Sequence, residues 1–147
     1  MKIAVIHGPN LNLLGVREPD IYGSVTLEEI DQRIRALAHE LDLEVEIVQD
    51  NSEGALIDAI QRAGAEADGI IINPAGYTHT SVALADALRA VSPPAIEVHL
   101  SNILAREPWR HESITATACV GVISGLGADS YLLALRGLCA MLEASEE

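Results

Sequence analysis

Short apolar runs alternate with stretches of helical period along the whole chain. KIAVIH (2–7) and GIIINP (69–74) are near-continuous β-branched runs, the pattern of strands buried on both faces. EVEIVQ (44–49) alternates apolar with polar residues and predicts a more exposed strand, while AIEVHL (95–100) and CVGVIS (119–124) bring the set to five. Between them lie TLEEIDQRIRALAHEL (26–41), EGALIDAIQRAGAE (53–66), SVALADALRAV (81–91) and ADSYLLALRGLCAMLEA (128–144), each with a helical pattern. In the first of these, Thr26 and Glu29 are spaced as a capping box, and Leu27, Ile30, Ile34, Leu37, Ala38 and Leu41 share one face. Pro93 and Pro94 break the chain before the fourth strand, and a further short helix within 102–116 is faintly signalled.

Strands separated by helices pair in parallel through right-handed crossovers. The economical arrangement is one α/β domain over residues 1–147. It is a flavodoxin-like three-layer sandwich whose five-stranded parallel sheet runs in the order 2-1-3-4-5.

Composition narrows the partners. The chain has 147 residues, 49% of them hydrophobic, enough for a core of its own. Its formal charge of -13 repels phosphate backbones and anionic membranes, so neither nucleic acid nor a membrane is an expected partner. An anionic substrate would have to be held by local arginines and backbone N–H groups. Cys119 and Cys139 match no zinc or redox spacing and read as small apolar residues. The apolar run after Lys2 is too short for a signal peptide, and no run reaches membrane-spanning length, so a cytoplasmic location is expected.

Ligands of open α/β sheets bind beyond the carboxyl ends of the strands. Strand one ends in His7 and enters a long segment, GPNLNLLGVREPDIYG (8–23), with two prolines, three glycines, an arginine and a tyrosine. Strand three ends in Asn73 and leads to His79; strand four carries Glu97 and ends in His99, Leu100, Ser101 and Asn102. A polar stretch with Arg106, Trp109, Arg110 and His111 follows. In the proposed order, Asn12, Asn73, His79, His99 and Ser101 surround one crevice. Such a crevice suits a small, polyhydroxylated anion and acid–base chemistry. Lys2, the sole lysine, starts strand one at the opposite end of the sheet, which argues against Schiff-base catalysis. GLGADS (125–130) lacks the third glycine of a dinucleotide fingerprint, and no His/Asp/Glu spacing supports a metal site.

Four blocks, GPNLNLLGVREPDIYG, NSEGALIDAI, ADGIIINPAGYTHTSVALADAL and IEVHLSNILAREPWRHES, together with GVISGLG, resemble the type II 3-dehydroquinate dehydratases in order and spacing over nearly the whole chain. The resemblance implies a lyase of the shikimate pathway or of quinate breakdown that uses no metal and no organic cofactor. It also implies a homododecamer built as a tetramer of trimers. By the same resemblance Tyr22 is the catalytic base, Arg17 the lid arginine and His99 the general acid, with Glu97 beside it. Asn12 holds a water at the developing enolate; Asn73, His79 and Arg110 bind substrate hydroxyls; Leu100 and Ser101 grip the carboxylate. Asp86 reaches the edge of the site from a neighbouring subunit. Two positions depart from the family pattern: Trp109 stands where phenylalanine is expected, and Glu112 where histidine or arginine is expected. On this reading the long opening loop carries the base and its arginine and closes over substrate, with bends at Gly15 and Gly23 and stiffening at Pro9 and Pro19.

Other readings of the same pattern are a non-catalytic flavodoxin-like module that binds a small anion, a receiver-type regulator, a flavin or nucleotide binder, and a serine hydrolase. A receiver needs acidic residues where His7 and Asn73 stand, and no G-x-S-x-G serves a hydrolase. Colourless purified protein would count against flavin.

Overall fold

The computed structural model describes residues 1–147. Five strands, β1 (Lys2–His7), β2 (Glu44–Gln49), β3 (Gly69–Asn73), β4 (Ala95–His99) and β5 (Gly121–Ser124), form one parallel sheet in the order β2-β1-β3-β4-β5. The helices are a single turn α1 (Pro19–Tyr22), then α2 (Leu27–Glu40), α3 (Glu53–Glu66), α4 (Val82–Ala90) and α5 (Asp129–Ser145). Topology and strand order are those the sequence pattern predicts.

Residue alternation along the strands divides the core into two layers. Ile3 and Val5 of β1, Ile71 of β3 and Ile96 and Val98 of β4 pack against α2 and α5. Ala4 and Ile6 of β1, Ile70 and Ile72 of β3 and Ala95 of β4 pack against α3 and α4. The helices start where the sequence supplies caps. Thr26 Oγ1 accepts from the Glu29 N–H at 3.2 Å, Ser52 Oγ from Ala55 N–H at 3.4 Å, and Ser81 Oγ from Leu84 N–H at 3.0 Å.

Several boundaries differ from expectation by a residue or two, each for a local reason. β3 stops at Asn73 because Pro74 has no N–H to give the ladder. β5 begins at Gly121 rather than at Cys119, because Thr115–Ala118 first forms a 3-10 turn that ends on Cys119. Cys119 is only half-buried; burial, and then the neighbouring Glu97, push its thiol up to about 12. The faint helix signal within 102–116 resolves into 3-10 turns at Ile103–Ala105 and Pro108–Arg110, with the Thr115 turn just beyond. Lys2 is paired with Glu46 at 2.9 Å, at the amino end of the sheet. No helix is long and apolar enough to cross a membrane.

At the carboxyl end, β1 and β3 are locked by one close approach. Gly8 N–H donates to Asn73 O at 2.8 Å, and a Cβ on Gly8 would stand 2.6 Å from Pro74 O and 2.9 Å from Asn73 O. Backbone atoms cannot yield as a side-chain tip would. Gly8→Ala is therefore expected to cost about 1–3 kcal/mol of stability, the range for inserting a methyl into a filled site. Thermal unfolding followed by circular dichroism checks it, and an unchanged Tm would refute the packing argument.

Candidate active site

The opening loop leaves β1 through Asn10, which sits at φ 68, and makes a 3-10 turn at Leu11–Leu13. It bends at Gly15 (φ 92), runs into α1 through Pro19, and leaves at Gly23 (φ 76). Positive φ is cheap for glycine, so Gly15 and Gly23 bracket the segment that carries Arg17 and Tyr22. The root of the loop is tied down: Gln49 Nε2 donates to Gly8 O at 3.2 Å, and Asn51 Oδ1 accepts from Asn10 N–H at 3.0 Å.

This loop, the β3 end and the segment after β4 enclose a cavity of about 200 Å³. Arg17, Tyr22, Asn73, His79, His99 and Arg110 all line it, as do Leu100, Ser101 and Arg106. Thus most residues assigned from the sequence converge on one space. No aspartate or glutamate lines it. Three guanidinium groups face a small volume in a chain of formal charge -13, so the cavity favours an anion against the field of the whole molecule.

Tyr22 is held by cations on two sides. Arg106 Nη1 donates to Tyr22 Oη at 2.7 Å, and Arg106 Cζ and Arg17 Cζ lie 5.3 Å and 5.2 Å from the ring centroid. The arginine on the hydroxyl is therefore Arg106, one of the polar residues on the segment after β4. Its signal was position: two arginines four residues apart, on either side of Pro108, on the segment leaving the strand that ends in His99.

Across the cavity stands His99. Glu97 and His99 are two apart on β4 and share a face. Glu97 Oε2 accepts from His99 Nε2 at 2.9 Å and from Ser113 Oγ at 2.8 Å, and Oε1 accepts from the Thr115 hydroxyl. The carboxylate is fully buried and does not line the cavity. It acts on the site through His99: it fixes Nε2 and leaves Nδ1 free for a ligand. His79 is oriented in the same manner, since Nδ1 donates to Glu112 O at 2.7 Å and Nε2 remains as an acceptor. Glu112 thus serves through its backbone carbonyl, which any side chain at this position would supply equally. Trp109, the other departure, is exposed and lies under Arg110, with Cζ 4.3 Å from the ring centroid. Glu107 Oε2 accepts from Arg110 Nε at 2.8 Å, so the guanidinium is held from two sides.

Asn73 forms a local turn in which its Oδ1 accepts from Ala75 N–H at 3.1 Å. This bond supports Ala75 at φ 52, a left-handed conformation that costs a non-glycine residue about 1–3 kcal/mol. Two assigned residues lie elsewhere. Asn12 is exposed, its Oδ1 3.5 Å from Gln49 Nε2, and the wall beside Leu11 is formed by Asn10 instead. The 3-10 turn is the reason: it buries Leu11 and rotates the next side chain outward. Asp86 is exposed on α4, 3.7 Å from Arg89, and does not line the cavity of its own chain. No group of three or more histidine, cysteine, aspartate or glutamate side chains gathers as a metal-holding cluster.

A doubly wound parallel sheet with an arginine-lined crevice at its carboxyl edge defines a flavodoxin-like protein whose cavity is cationic. The particular family follows from comparison. Residues 1–139 match the family described as dehydroquinase class II. The 3-dehydroquinate dehydratase of Geotalea daltonii is 57% identical over 94% of this chain and 96% of its own length. That of Carboxydothermus hydrogenoformans is 55% identical over 97% and 93%. The crystal structure of type II dehydroquinase from Butyrivibrio crossotus superposes with a TM-score of 0.92 at 48% identity, covering 94% of this chain and 97% of that one. The chain belongs to the class II dehydroquinases.

Proposed function

We propose that this protein is a hydro-lyase that converts 3-dehydroquinate to 3-dehydroshikimate by anti elimination through an enolate. The observation that carries the reading is Tyr22, its hydroxyl bonded to Arg106 and its ring beside Arg17, facing a cavity that also holds the Glu97-backed His99. In the first step Tyr22, as tyrosinate, takes the proton from the carbon next to the ketone, and the electron pair moves onto the ketone oxygen. Arg106 Nη1 donates to the phenol oxygen that takes this proton, and Arg17 lies beside the ring. In the second step the enolate collapses, the neighbouring hydroxyl leaves, and His99 gives it a proton to form water. Glu97 steadies the ring while it carries that proton.

The remaining residues bind. Asn73, His79 and Arg110 take the substrate hydroxyls, and Leu100 and Ser101 the carboxylate. Asn12, exposed on the 3-10 turn and off the cavity wall, serves the enolate through a bridging water rather than by contact. No metal or organic cofactor is needed for these steps, and the cytoplasm is the proposed location. Asp86 reaches a neighbouring subunit's site only in an assembly, which we propose is a dodecamer of four trimers. Light scattering coupled to size exclusion should return the mass of twelve chains; a monomer would remove Asp86 from the site.

The reaction itself is tested by mixing purified protein with 3-dehydroquinate and following the ultraviolet absorbance of the conjugated product. We expect a rise that neither EDTA nor borohydride affects. Loss with EDTA would bring a metal into the mechanism. No rise from folded protein would leave a module that binds a small anion without turning it over.

A further inference from the structure

His7 and Asn73 are register partners at the ends of β1 and β3. By alternation both face α2 and α5, the side that takes Val5 and Ile71. There a chain of polar side chains leads away from the cavity. Asn73 Nδ2 donates to Tyr131 Oη at 3.0 Å, Tyr131 Oη lies 2.9 Å from His7 Nδ1, and His7 Nε2 lies 2.7 Å from Asp31 Oδ1. His7 and Tyr131 are fully buried, and Asp31 alone meets solvent. Of the four, only Asn73 lines the cavity.

The direction of each bond follows from giving every buried donor in this chain an acceptor. Ala75 N–H donates to Asn73 Oδ1, which fixes the oxygen and nitrogen ends of the carboxamide. Nδ2 then faces Tyr131 and can only donate. The buried phenol O–H has no acceptor in reach other than His7 Nδ1, so Tyr131 donates to it. His7 therefore carries its proton on Nε2 and donates it to the Asp31 carboxylate. Burial raises the Tyr131 hydroxyl well above the usual tyrosine range, so it stays a donor. A single backbone bond would leave the nitrogen end of the carboxamide free to swing. The hydroxyl pins it, and α2, β1, β3 and α5 all contribute to the support.

We propose that Tyr131, His7 and Asp31 are positioning residues that lock the Asn73 carboxamide, so that its second N–H is presented to an acceptor oxygen of the substrate. The proposal rests on the reading of the cavity as the substrate site. It assigns three residues outside the cavity, two of them on the helices α2 and α5, to substrate affinity.

A double-mutant cycle on the full-length enzyme tests it. KM and kcat for 3-dehydroquinate are measured for Tyr131→Phe, Asn73→Ala and the pair. Tyr131→Phe should raise KM by about tenfold, the value of one well-placed hydrogen bond, and change kcat by less than about threefold. In the Asn73→Ala background it should raise KM no further, whereas a general loss of structure would add in full. Asp31→Ala, at a partly exposed position, should act in the same direction with a smaller change, and it carries the same cycle if Tyr131→Phe does not fold. Unchanged KM in both single variants, or full additivity with Asn73→Ala, overturns the proposal. An unchanged KM in Asn73→Ala itself overturns the reading of the cavity at that residue. Nitrogen-15 shifts of His7 give a test that needs no turnover: a protonated Nε2 and a bare Nδ1 are expected, and the opposite tautomer overturns the chain.

Discussion

Tyr22→Phe is expected to lose about 10²–10⁴ in kcat, the range for a general base, while KM moves by less than about threefold. The substituted ring keeps its place on the half-buried side of α1, where Tyr22 packs against the core beside α2. Only the oxygen goes, and with it the bond from Arg106 Nη1. The two guanidinium groups remain, so the cavity stays cationic and still binds an anion. That separation of effects makes the variant informative. A base acts in the transition state alone, so its removal should appear in kcat; a residue that merely shaped the cavity would change KM. The measurement is steady-state turnover by product absorbance, with circular dichroism to show that the fold persists. Turnover near that of the parent protein would remove Tyr22 from the mechanism and transfer the proton to another group.

His99→Ala should show a loss of similar size, about 10²–10⁴ in kcat, for a different reason. It takes away the group that protonates the leaving hydroxyl, and the elimination would have to expel hydroxide unaided. The variant also leaves Glu97 buried without its imidazole. Breaking a buried pair costs about 3–5 kcal/mol, but here Ser113 and Thr115 still donate to the carboxylate, so the lower end is expected. The space vacated by the ring gives a direct test of role. Added imidazole should restore part of the turnover of His99→Ala and none of that of Tyr22→Phe. Full activity without imidazole would refute the assignment.

Much of this was legible in the order of residues. β1 and β3 are runs of branched apolar residues that only a doubly covered strand explains, and Thr26 with Glu29 announces its helix. His99 and Glu97 were legible because alternation on a strand puts them on one face. The length of the opening loop marked it as unusual, but the roles given to Arg17 and Tyr22 came from the family resemblance. What the sequence concealed was side-chain reach. Arg17 and Tyr22 are five apart and do meet, yet the hydroxyl goes to Arg106, 84 positions away, because a long guanidinium stem spans from the segment after β4. Asn12 was placed in the crevice from its position after β1, and the 3-10 turn sets Asn10 on the wall in its place. Tyr131 was written into a helix pattern as one more large residue, and its hydroxyl takes meaning only when β1 and β3 set His7 beside Asn73.

The absence of carboxylates from the cavity wall, in so acidic a chain, gives the molecule two electrostatic ranges. Far from the surface an incoming anion meets net repulsion; within the crevice it meets arginines. Salt acts unequally on the two, because a Debye length of about 8 Å at physiological ionic strength erases the distant field while partly buried contacts persist. Moderate salt should therefore hasten capture of the substrate, the reverse of the slowing seen when long-range attraction guides a ligand in. The rate of substrate capture, kcat/KM, measured against ionic strength should rise before it falls.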